Sequence, residues 1–111
     1  MSVAPSSASP EEVFCDHIDD LSDVVGASAN FDRVVNKLVS KRLIDLSLVD
    51  DLTSTTSYSS YQRGSKVIRE LYRQIRLSQR PRDVLIVICD VLISQNDPQL
   101  REIGQNMKSQ W

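Results

Sequence analysis

Apolar residues return every three or four positions through most of this chain, and that period restricts it to packed helices. Phe14, Ile18, Leu21 and Val25 keep the period in the first segment, and Phe31, Val34, Val35, Leu38 and Val39 keep it in the second. Val67, Ile68, Leu71, Tyr72 and Ile75 keep it again in a later one. A stripe of this kind buries one side of a helix only against other helices. Helix starts are also legible. Ser9-Pro10-Glu11-Glu12 supplies a capping serine, a proline whose missing N–H costs nothing in the first turn, and a glutamate that closes a capping box. Pro81 with Asp83, and Asp97 with Pro98, repeat the proline-and-acid start.

These signals predict six helices in one antiparallel bundle, an all-α fold. The first helix runs from Ser9 to about Val25, with Gly26 as its stop. The second runs from Asn30 to about Lys41, capped by Asn30 or Ser28. A short third covers Ser47 to Leu52, and the Thr53–Ser60 stretch is read as a loop because it can bury too little apolar surface. The fourth spans about Tyr61 to Leu77. Pro81 opens the fifth, whose Val84–Ile93 run is apolar on almost every side and belongs in the centre. Leu100, Ile103 and Met107 mark the last. Residues 1–8 are small and polar and are expected to form a disordered leader, leaving 9–111 as one domain. At 111 residues the chain is too short for two domains that each bury a core.

The Val84–Ile93 run is about half the length that spans a bilayer and is broken by Asp90, so no transmembrane segment is predicted. Cys15 and Cys89 both lie in apolar stretches and, with no signal-peptide pattern ahead of them, are read as reduced, buried thiols of a cytoplasmic protein. A bridge between them is not required. Cys15 and the single histidine, His17, would point roughly 200° apart on a helix, so they make no nucleophile–base pair. Cysteine and histidine together number three, one short of a structural zinc site. Arg63-Gly64-Ser65-Lys66 lacks the first glycine and the residue order of a phosphate-binding loop. We therefore expect no catalytic residues, no metal and no cofactor: the chain is read as not an enzyme.

Charge is more informative. The formal net charge is only −2, but it is unevenly spread. Residues 1–25 hold six acids and no base, whereas residues 63–82 hold seven bases and Glu70 alone. Asp16, Asp19, Asp20 and Asp23 fall on the outer side of the first helix, and Lys66, Arg69, Arg73, Arg76 and Arg80 form one band opposite Val67, Leu71 and Ile75. Like charges three or four residues apart cost a helix roughly 0.2–0.5 kcal/mol per pair, so stability alone would have interleaved the signs. Two unmixed stripes of opposite sign are the pattern of complementary binding surfaces. If they lie on different sides of the domain, copies can join head to tail and form an open filament. Nucleic acid is the competing partner, since the basic band has Tyr61 and Tyr72 nearby, but a pI near 5.3 argues against it.

The run Asn36-Lys37-Leu38-Val39-Ser40-Lys41-Arg42-Leu43-Ile44-Asp45-Leu46-Ser47-Leu48-Val49-Asp50-Asp51-Leu52 resembles the junction of the second and third helices in caspase recruitment domains of the death-fold superfamily. The polar loop after it, the basic helix, the Arg80-Pro81 break and the apolar helix from Val84 follow that family's order. The resemblance covers about Glu11 to Met107. It implies a six-helix Greek-key fold and a non-enzymatic adaptor of cell-death or inflammatory signalling, whose partners are itself and other domains of its kind in caspases or adaptors. By position, Arg69, Arg73 and Arg76 match the family's basic side, and Asp45, Asp50 and Asp51 match its acidic side. Asp16, Asp19, Asp20 and Asp23 depart from the family pattern, which has at least one base there, and imply a different contact for the first helix. A stand-alone decoy that caps a partner's filament would share the same fold.

Overall fold

The computed structural model describes residues 9–54 and 58–110. Seven helices form its framework: α1 (Pro10–Cys15), α2 (Ile18–Gly26), α3 (Ser28–Ser40), α4 (Leu46–Ser54), α5 (Ser60–Leu77), α6 (Pro81–Ile93) and α7 (Pro98–Lys108). Among the described residues there is no strand. The expected leader, Thr55–Ser57 of the expected loop, and Trp111 lie outside the described residues.

The seventh helix arises because the expected first helix is broken. α1 begins as expected, with Ser9 and Glu12 forming a capping box. At Asp16 and His17 the ladder tightens, with the His17 N–H bonded to the Phe14 carbonyl at 3.0 Å. His17 then leaves helical geometry at φ −111°, ψ 6°. Asp19 and Asp20 thereby become first-turn residues of a new helix, where its dipole favours acids. The break lets α1 lie on α5 and α6 while α2 packs on α3, α5 and α7.

α2 and α5 form the closest helix pair, and small residues make this possible. A Cβ at Gly64 would overlap the Ser22 carbonyl oxygen and lie 2.7 Å from the Gly26 nitrogen, and one at Gly26 would overlap the Ser60 carbonyl oxygen. Gly26 is therefore not a left-handed helix stop; it is the last residue of α2 and lets two backbones approach. Ser22 is fully buried at this crossing and satisfies its hydroxyl on the Ile18 carbonyl at 2.7 Å.

α6 packs against α1, α3, α5 and α7, with Leu85, Ile88, Cys89, Val91 and Leu92 buried, so the apolar run does occupy the centre. Burial pushes the Cys89 thiol up to about 12. Cys15, in contrast, is exposed, because α1 turns only Pro10, Val13 and Phe14 inward.

The ends of the other helices add three corrections. α3 is capped by neither Asn30 nor Ser28; Ala27 occupies the cap, and the Asn30 amide instead donates to Val24 O and to Asp97 Oδ2, both at 3.1 Å. α3 ends with Arg42 in the left-handed region at φ 61°, its N–H bonded to Val39 O and the Leu43 N–H to Leu38 O, the two bonds of a Schellman motif. Thr53, Ser54 and Ser60, expected in a loop, belong to α4 and α5, and Ser59 with Gln62 forms a second capping box. α7 starts as expected, with Asp97 Oδ1 accepting from the N–H groups of Gln99 and Leu100.

Candidate interaction surface

All five bases of the expected band are exposed, but α5 carries only four of them. Ser78 takes extended geometry, ψ 146°, and ends the helix, so Arg80 becomes the cap of α6 and lies 3.9 Å from Asp83. Three of the remaining four have local partners. Arg73 pairs with Glu70 one turn back at 3.2 Å, Lys66 lies over the Tyr58 ring at 5.1 Å, and Arg76 lies over the Tyr72 ring at 5.7 Å. Tyr72 is half-buried and stacks on Phe14, which leaves Tyr61 as the exposed tyrosine of the band.

Lys66, Arg69 and Arg73 line a groove of about 710 Å³ between α5 and α4, together with Leu48, Tyr58 and Tyr61. A second hollow of about 350 Å³ overlaps it and brings Asp45 and Asp51 next to Glu70 and Arg73. Two of the acids assigned to one side of a contact thus share a surface with bases assigned to the other. Asp50 is exposed but lines neither hollow.

The four acids of the second acidic face are exposed as expected, although the break separates Asp16 from the other three. Asp19 leans toward α5, where it accepts the Tyr61 hydroxyl at 2.7 Å. That hydrogen bond, followed by desolvation and the nearby carboxylates, raises the Tyr61 hydroxyl above the usual phenol range, while Arg69 works the other way. Asp20 and Asp23 turn toward α7 and line a hollow of about 310 Å³ with Val24, Ile103 and Glu102.

Sequence periodicity finds the stripes but not the groove. Leu48, Tyr58 and Glu102 enter these sites through α4–α5 and α2–α7 packing, which no local pattern encodes. His17 sits half-buried at the α1–α2 break, with Nε2 3.2 Å from Gln110 Nε2. Among the described residues, no cluster of three or more His, Cys, Asp or Glu is placed to hold a metal ion, and no helix is long and apolar enough to cross a membrane. No family model, curated protein or solved structure matches this chain.

Proposed function

We propose that this chain is a non-enzymatic association module of the caspase recruitment type, with a six-helix Greek-key death fold in which α1 and α2 together stand for the first helix. It binds copies of itself and other domains of its kind through charged faces, builds helical filaments, and so scaffolds caspase or other effector signalling. The observation that carries this is the exposed basic side of α5, where Lys66, Arg69 and Arg73 line one groove beside Tyr61. Concentrating like charge on one helix flank costs stability, and an acidic partner surface offsets that cost.

Arg73→Glu tests the reading. The side chain is 63% exposed, so the variant keeps its helical circular dichroism, while the large particles formed by wild type disappear from light scattering and negative-stain images. Full assembly of a folded Arg73→Glu protein would contradict the proposal. Nucleic acid remains the alternative, with Tyr61 beside Arg69 in its favour, but Asp45, Asp51 and Glu70 line the same hollows and would repel a phosphate backbone. Tight, salt-dependent binding of a generic oligonucleotide by the monomer would favour it. Arrest of a partner's filament by a chain that does not itself assemble would assign the decoy role.

A further inference from the structure

We infer that the acidic edge between α2 and α7 of one copy docks into the basic end of the α4–α5 groove of the next, as the repeating contact of the assembly; this rests on the self-association proposed above. The two surfaces share no residue and match in kind. On one, Asp20, Asp23 and Glu102 surround the half-buried Val24 and Ile103. On the other, Lys66 and Arg69 stand beside Tyr58 and Tyr61 over Leu48. Each has a small apolar floor and a charged rim, the usual anatomy of a protein contact, and the rims are of opposite sign.

The groove itself has polarity. The overlapping hollow places Asp45, Asp51, Glu70 and Arg73 at one end. The other end is lined by Tyr58, Tyr61, Ser65, Lys66 and Arg69, with no acid among them, and Asp19 beside it is held by the Tyr61 hydroxyl. An acidic edge is therefore drawn to the Lys66–Arg69 end and repelled from the Asp45–Asp51 end, which fixes its direction. Among the described residues, no ion pair includes Asp20, Asp23, Glu102, Lys66 or Arg69, so both rims are available. Three acids in a hollow of about 310 Å³ repel one another, and cations from a neighbour relieve this. Each contact leaves a groove free on one copy and an edge free on the other, so it can repeat.

Charge exchange between two variants tests the pairing. Lys66→Glu/Arg69→Glu makes the groove acidic, and Asp20→Lys/Asp23→Lys makes the edge basic; all four positions are exposed, and circular dichroism checks the fold. Alone, each variant has two rims of like sign, and the concentration at which light scattering detects assembly rises by about tenfold or more. Mixed in equal amounts, the two regain assembly, because the edge of each now complements the groove of the other. Should either double variant lose its fold, Arg69→Gln and Asp23→Asn weaken the same rims without reversing them, and each raises the assembly concentration severalfold. Wild-type assembly with unaffected folded variants, or with no recovery on mixing, overturns this pairing and leaves self-association standing. A wild type that stays monomeric under the same conditions overturns both.

Discussion

Replacing Gly64 with alanine tests the α2–α5 crossing, because the expected sign depends on it. Gly64 is the fifth residue of the 18-residue α5. At an exposed site there, alanine would stabilise the protein by about 0.8–1.0 kcal/mol through helix propensity. Here the added Cβ overlaps the Ser22 carbonyl and lies 2.7 and 2.9 Å from the Gly26 nitrogen and Cα. All three are backbone atoms, which cannot rotate away, so the helices have to separate. Overpacking costs about 1–3 kcal/mol, and the rigid neighbours place this case in the upper half of that range. Net of propensity, Gly64→Ala destabilises by about 1–2 kcal/mol, a fall in Tm of about 5–15 °C for a domain of this size. Gly104→Ala is the control. Its Cβ meets the Ile93 Cγ1 at 2.9 Å, a side-chain atom that can shift, with the Cys89 carbonyl at 3.1 Å, so its loss is smaller. Thermal unfolding followed at 222 nm measures both. A Gly64→Ala protein more stable than wild type would refute the crossing.

Three further outcomes follow from particular residues. Arg42→Gly relieves a left-handed residue at φ 61° and raises stability by up to about 1 kcal/mol in thermal or urea unfolding, since glycine adopts that conformation without the Cβ clash. Asp97→Ala removes the α7 cap and the Asn30 bond and costs about 1–2 kcal/mol. Burial opposes ionisation of Asp97, but hydrogen bonds from Leu100, Asn30 and Gln99 outweigh it and hold the carboxyl below its usual range. A depressed carboxylate contributes stability above its unfolded pKa, near 3.9, and loses it as pH falls through the folded value. The wild-type advantage over Asp97→Ala in urea unfolding is therefore full at neutral pH and shrinks below about pH 4. Finally, a thiol reagent labels Cys15 in the native protein and Cys89 only after unfolding, since Cys89 is buried and its thiol is held up to about 12; mass spectrometry of the labelled peptides checks this.

The residues legible in advance were those whose chemistry is local. Ser9-Pro10-Glu12 and Asp97-Pro98 start helices wherever they occur, and the apolar period of α3 and α5 identifies their inward sides without knowledge of a partner. The break at His17 is hidden in the sequence because Phe14, Ile18, Leu21 and Val25 keep a continuous period across it; the two helices share α5, but α1 also packs on α6 whereas α2 packs on α3 and α7. By sequence Gly26 reads as a stop and Gly64 as part of the start of the fourth helix, and only their juxtaposition shows that both admit a backbone. Cys15 lies in an apolar stretch, yet a helix of six residues turns only one side inward. The same division holds for the surface. Stripe membership follows from spacing along one helix, whereas the groove depends on where α4 lies beside α5, and the grouping of Glu102 with Asp20 and Asp23 depends on α7 lying beside α2.

The claim that charged faces join copies of this chain is tested most directly by static light scattering of the wild-type protein across salt. At high micromolar concentration and low ionic strength the account predicts particles many times the 12.5 kDa of one chain. Their mass should fall steadily as salt shortens the screening length from about 30 Å at 0.01 M toward about 3 Å at 1 M. A mass of one chain at every ionic strength, or large particles indifferent to salt, would contradict it.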